Sequence, residues 1–249
     1  MPKKIINICL LASIGFLFSF KGSDFKAGQL KYARVQAAYQ SNWGTLQALL
    51  RSKQVDPANF DLYLRTFKYE KAVELWVKNS HAKTYTLLKT IPVCAGSGAL
   101  GPKRRQGDRQ VPEGFYKIDF LQPYSDYHLA LKVSYPNSSD RIKATAKDPG
   151  GDIMIHGNCV TIGCIPLQDA PIEEVYVLCV ETMNRNRTVK ADIYPCYFTS
   201  ANNTMLARNF PQHAAFWSSL KKAYDHFELN HSLPKISTDK NGDYQVAAN

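Results

Sequence analysis

Cys164 stands eight positions after His156 in the stretch 152–167, DIMIHGNCVTIGCIPL. An imidazole that removes a thiol proton creates a strong nucleophile toward carbonyl carbon, so the pair is a candidate general base and nucleophile. Gly157 follows the histidine and Gly163 precedes the cysteine, which allows tight turns at both ends of the intervening loop. The same residues admit three other readings. Cysteine is among the most buried residue types and often only packs. A disulfide between Cys159 and Cys164 suits an oxidising compartment. The spacing H-x2-C-x4-C is also part of a zinc site, but no second Cys/His pair at metal spacing occurs in the chain, so no metal is assigned.

The elements that would position this pair are short strands. Along 152–156, alternation places Ile153 and Ile155 on one face and Met154 and His156 on the other, with a turn at Gly157 and a return through 160–162. Upstream, residues 60–67 alternate as a strand, and 72–77 and 83–88 continue a meander that 91–94 extends. Residues 115–120 and 127–134 read as further strands, with Tyr127 and His128 opening the second. Residues 189–198 alternate too, and Pro195 predicts a position near a sheet edge. Residues 173–181, EEVYVLCVE, fit helix or strand. Two helices flank the strands: 24–53, with a break predicted at 42–44, and 212–228, which carries an apolar stripe. The residues after it read as loosely ordered.

Between the meander and the next strand lies 95–113, AGSGALGPKRRQGDRQVPE. Its Lys103, Arg104, Arg105 and Arg109 are opposed only by Asp108 and Glu113. A loop of this length is either functional or a solvated charge run. It is not a Walker A loop, since no G-K-[ST] follows Gly101, and nucleotide binding is discarded.

The chain has 249 residues, enough for one good core with a small extra lobe. A formal net charge of +10 suits an anionic surface or a carboxylate-rich substrate. No zinc-finger, RNP or long basic helix pattern accompanies that charge, so nucleic acid is not expected as a partner. Lys3 and Lys4 precede an apolar run, 5–20, shorter than the roughly 20 residues needed to span a bilayer, which reads as an export signal or an uncleaved anchor. Loss of such a leader with Cys9 leaves Cys94, Cys159, Cys164, Cys179 and Cys196, an odd set in which at least one thiol stays free or pairs with another molecule. The expected organisation is a leader at 1–22, a helical segment at 23–58, a catalytic domain at 59–200 and a helical extension at 201–249.

His156-Gly157 followed by Thr161, Gly163 and Cys164 resembles the active-site pattern of the L,D-transpeptidases of the YkuD type, H-G, a loop, then S/T-H-G-C. Val111-Pro112-Glu113-Gly114-Phe115-Tyr116 is similar to that family's T-P-x-G-x-[FY]. Ile162 stands where the family has histidine and the loop is short, both as in the YafK-like branch, to which Gly101-Pro102-Lys103, Gly107-Asp108-Arg109 and Tyr127-His128-Leu129 are also similar. The resemblance extends over roughly 60–198. It implies an α+β, mainly β fold: a sandwich or barrel catalytic domain with N- and C-terminal helices, working without a cofactor in the cell envelope or periplasm. It implies peptidoglycan stem peptides as substrate, attacked by Cys164 to form a thioester that an amine or water resolves. Within it His156 is the base, the Gly157 carbonyl its orienting group, and the N–H groups of Gly163 and Cys164 the oxyanion donors. Arg104, Arg105 and Arg109 are candidates for stem carboxylates, and Tyr127, His128 and Thr161 for the cleft wall. The alternatives are an amidase, for instance one releasing a peptidoglycan-linked lipoprotein, and a non-catalytic binding module held by a Cys159–Cys164 disulfide.

Overall fold

A computed structural model of the protein describes residues 23–247; the leader expected at 1–22 lies outside them. Among the described residues no helix is long and apolar enough to cross a membrane.

The centre of the chain is a helix buried nearly all round, α1 (Asp169–Met183), in which Val175, Tyr176, Val177, Leu178, Cys179 and Val180 are all buried. Burial on every side erases the amphipathic period, which is why 173–181 is ambiguous in sequence. Against it pack an N-terminal helix α2 (Ala33–Ser52), through Val35, Ala38, Leu46 and Leu50, and a short helix α3 (Ser23–Gln29) that precedes it. The predicted break at 42–44 does not occur. Asn42 donates to the Ala38 carbonyl at 2.9 Å and to Glu173 at 3.1 Å, and Gly44 borders open space, so the helix continues; the chain breaks earlier, between α3 and α2.

Eight strands form one curled sheet: β1 (Phe60–Phe67), β2 (Ala72–Asn79), β3 (Thr86–Pro92), β4 (Gly114–Gln122), β5 (Ala130–Val133), β6 (Met154–His156), β7 (Ile165–Pro166) and β8 (Lys190–Tyr194). Their spatial order is β3-β2-β1-β8-β4-β5-β6-β7. β8 therefore lies inside the sheet, parallel to β1 and antiparallel to β4, rather than near an edge. Pro195 follows the last paired residue, Tyr194, where a missing N–H interrupts no ladder bond.

Both faces of the sheet are covered. One packs on α1 and α2; the other carries Phe67, Tyr194 and Phe198 beneath α4 (Ser200–Asn209) and α5 (Ala214–Asn230), whose Phe216, Trp217, Leu220 and Tyr224 point inward. Double coverage explains why β1 is buried at nearly every position in spite of its alternating sequence. The residues after α5 are ordered as a hairpin, β9 (Lys235–Thr238) with β10 (Tyr244–Ala247). It is pinned by Ser139 donating to the Gly242 carbonyl at 2.6 Å and by Asn137 donating to the Tyr244 hydroxyl at 2.7 Å.

Candidate active site

The parallel pairing of β6 with β7 sets Ile155 beside Ile165 and His156 beside Pro166. Cys164, the residue before β7, is thereby returned to the strand that carries His156. Ile153 and Ile155 enter the core as the alternation predicts, and His156 and Cys164 line one cleft of about 460 Å³. The loop leaves β6 through Gly157, where an added Cβ would lie 2.6 Å from Asp169 Oδ1 and 2.9 Å from the Tyr127 carbonyl. Only glycine fits that approach.

The His156 side chain is 2% exposed as a residue, and its Nδ1 donates to the Gly157 carbonyl at 2.5 Å. That bond selects the tautomer in which Nε2 carries the free lone pair. Burial lowers the His156 pKa, and the Gly157 carbonyl partly offsets this. Burial also raises the Cys164 pKa, against which the Met154 N–H and the charge of Lys103 act. The thiol sits 3.6 Å from the Asp152 carbonyl. Desolvation thus favours the neutral form of both groups, so the site rests as thiol and imidazole, and the proton moves during attack.

Thr161 lies in the loop between them. Its Oγ1 donates to the Cys164 carbonyl at 2.8 Å and accepts the Gly163 N–H at 3.1 Å. The Gly163 N–H, one of the two expected oxyanion donors, is thus held by Thr161. Among the described residues the Cys164 N–H has no acceptor. The stretch 160–162 is not a returning strand: Ile162, 79% exposed, and Val160 stand out in solvent at the loop tip.

Cys159 is bonded to Cys94, and Cys164, Cys179 and Cys196 are free. The expected alternative of a Cys159–Cys164 disulfide is therefore overturned. The same bond removes Cys159 from H-x2-C-x4-C as a thiolate ligand. Cys94 follows the end of β3 and donates its N–H to the Pro166 carbonyl of β7 at 3.0 Å, so the bridge fastens the catalytic loop to the strand end that the curl brings beside it.

The basic loop is organised internally. Lys103, 4% exposed, bonds Asp108 at 2.6 Å, and Asp108 also accepts the N–H groups of Arg104, Arg105 and Gln110. Arg104 bonds Asp140 at 3.2 Å and lies 5.0 Å over the Phe216 ring, so its guanidinium is engaged within the fold. Arg105 and Arg109 are exposed, and neither they nor Arg104 line the cleft. Tyr127 does line it, its ring 4.8 Å from the His156 ring. His128 does not; its Nε2 pairs with Glu173 at 2.8 Å and ties the loop to α1. A second, smaller cleft on the other side of Cys164 is lined by Thr66, Lys68, Lys71, Gly96 and Val111. Lys68, Lys71 and the Cys94 partner escape sequence reasoning because they lie on strands and turns remote in the chain.

A curled sheet over a buried helix thus brings a carbonyl-oriented histidine at the end of β6 and a cysteine just before β7 into one cleft. The L,D-transpeptidase catalytic domain (YkuD) matches residues 68–189, and the chain belongs to this family, whose members act on peptidoglycan. It is 36% identical over 189 residues to YafK of Escherichia coli (strain K12), a protein assigned to the L,D-transpeptidases only provisionally, with 75% of this chain and 74% of that one covered. YafK of Escherichia coli O157:H7 matches at the same identity and coverage. Among solved structures, the helical cell shape determining protein Pgp2 from Campylobacter jejuni aligns with a TM-score of 0.45 and 19% identity over 69% of this chain and 60% of its own.

Proposed function

We propose that the protein is a cell-envelope cysteine enzyme that cleaves amide bonds in peptidoglycan stem peptides through a thioester on Cys164. The observation that carries this reading is the free Cys164 thiol in one cleft with a histidine whose Nδ1 is held by the Gly157 carbonyl. As the sulfur attacks the amide carbon, His156 Nε2 takes the thiol proton; collapse of the tetrahedral intermediate expels the amine, which takes that proton. Such base assistance contributes about 10²–10⁴-fold. The Cys164 N–H is the donor available to the oxyanion, a contribution of about 3 kcal/mol. An amine or a water then attacks the thioester, with His156 as base again.

Hydrolysis is the second reading, covering an amidase that releases a peptidoglycan-linked lipoprotein. It is favoured by Ile162, whose exposed hydrocarbon side chain offers an incoming amine no hydrogen bond at the loop. The Cys94–Cys159 disulfide supports export to an oxidising compartment such as the periplasm. For the stem carboxylates, Arg105 and Arg109 are the exposed candidates. Arg109 is the better placed, since the carbonyl of its neighbour Gln110 comes within 3.3 Å of where a Gly163 Cβ would stand.

Purified protein incubated with muropeptides and read by mass spectrometry tests the proposal. New cross-links mark transpeptidation and loss of a stem fragment marks hydrolysis; no change in either product, with Cys164 reduced, refutes both.

A further inference from the structure

The loop between β4 and β5 carries aromatic surface that the chemistry at Cys164 does not use. Tyr124 is 64% exposed and Tyr127 45%, and both line the cleft with His156 and Cys164. Tyr32, 39% exposed and just ahead of α2, places its ring 5.8 Å from that of Tyr124. Together with the Tyr127–His156 contact, the three rings make a ledge that runs from the catalytic imidazole to the N-terminal helices.

The ledge is held in shape. Arg34 donates to the Ser125 carbonyl at 2.8 Å and to the His128 carbonyl, clamping the loop from α2. Inside the loop, the Tyr127 N–H donates to Ser125 Oγ at 3.0 Å. A fixed loop with large rings turned outward forgoes the burial that aromatic side chains usually gain, and a contiguous exposed patch of this kind marks a contact surface.

The chemistry of the rings indicates the ligand. A π face is electron-rich and attracts the weakly positive C–H groups that line one face of a pyranose. The tyrosine hydroxyls stay wet and can meet sugar hydroxyl and acetamido groups. The carboxylates Asp126 and Asp152 line this cleft, and Arg34, the cation that clamps the loop, is engaged by the Ser125 and His128 carbonyls, which disfavours an anionic ligand there. The cationic side chains Arg105 and Arg109 line no part of this cleft.

We propose that Tyr32, Tyr124 and Tyr127 form a saccharide-binding ledge that seats N-acetylated pyranose rings of a glycan strand beside the catalytic cleft. The inference rests on the reading of the substrate as peptidoglycan, and names the part of it that this surface takes. Peptide attached to a glycan would then enter the cleft from a tethered backbone, so the ledge raises its effective concentration at Cys164.

The test is titration of the full chain with chitotetraose, a peptide-free tetramer of N-acetylglucosamine, followed by calorimetry. Saturable binding is expected, weakened about fivefold or more by Tyr32→Ala and by Tyr124→Ala, and retained in Tyr124→Phe, as loss of a stacking contact predicts. Cys164→Ala should bind as tightly as the wild type. Absence of saturable binding, affinity indifferent to both alanine variants, or affinity lost with the Cys164 thiol overturns the proposal. Because no turnover is read, a protein that cleaves stem peptides yet ignores chitotetraose loses only the ledge. One that binds chitotetraose through these tyrosines but cleaves nothing loses only the catalytic reading.

Discussion

The segment between β3 and β4 and the segment between β6 and β7 meet where the Gln110 carbonyl approaches Gly163, and they use their polar groups in opposite ways. In the first, charges are spent on the segment itself and its supports. Asp108 gathers one ammonium and several backbone N–H groups, and the fully buried Glu113 binds Lys68 at 2.9 Å, the Gly101 N–H at 2.8 Å and Trp217 at 2.6 Å. In the second, the chemically active groups are neutral and the shape is kept by glycines, Thr161, a disulfide, and Asn158, whose N–H is accepted by Asp169. A dense cluster of charge here is architecture, while the reactive pair carries no charge at rest.

The comparison is broken most severely at the thiol. Cys164→Ala should abolish turnover of stem peptides, at least about 10⁴-fold, with His156→Ala losing about 10²–10⁴-fold, measured by mass spectrometry of muropeptides. Thermal unfolding should barely respond to Cys164→Ala, whereas His156→Ala also removes a buried side chain and its bond to the Gly157 carbonyl and should lower stability by about 1–3 kcal/mol. Next in size is the bridge that shapes the neutral segment. Cys94→Ser with Cys159→Ser opens a loop with a sequence separation of 65 and should cost about 4 kcal/mol in denaturant unfolding. On the charged side, Glu113→Gln strands the buried Lys68 ammonium and should cost about 3 kcal/mol, with retained stability arguing that the network is decorative. A smaller effect tests neutrality at rest. Since burial lowers the His156 pKa, the base stays unprotonated further into acid. The acidic limb of kcat/KM should fall below the ordinary imidazole range, whereas a limb above it would indicate a preformed ion pair. The smallest change is expected for Arg105→Ala, exposed and away from both clefts, which should alter stability by less than about 0.5 kcal/mol.

Much of this was readable in the residues. The span of β1 and the inward stripe of α5 follow from periodicity, and family resemblance separated Cys164 from Cys159. Periodicity could not place β8, because Pro195 carries the same edge signal whether it interrupts a ladder or merely follows one. Nor could it find Cys94 as the partner of Cys159, since pairing across the sheet leaves no local trace. The terminal hairpin does leave one: Asn241-Gly242, between its two strands, is a turn signal. A count of charges, however, does not reveal that Asp140 engages Arg104 within the fold.

The parallel pairing of β1 with β8, Tyr63 beside Lys190, has a kinetic consequence. The meander of β1, β2 and β3 closes through near neighbours in the chain and can form early. The centre of the sheet must wait for a strand that comes after the catalytic loop and α1. Loop closure of that length slows folding. Until β8 inserts, β1 presents an open edge, and any chain that pauses there exposes to its neighbours a strand that the finished fold buries at nearly every position.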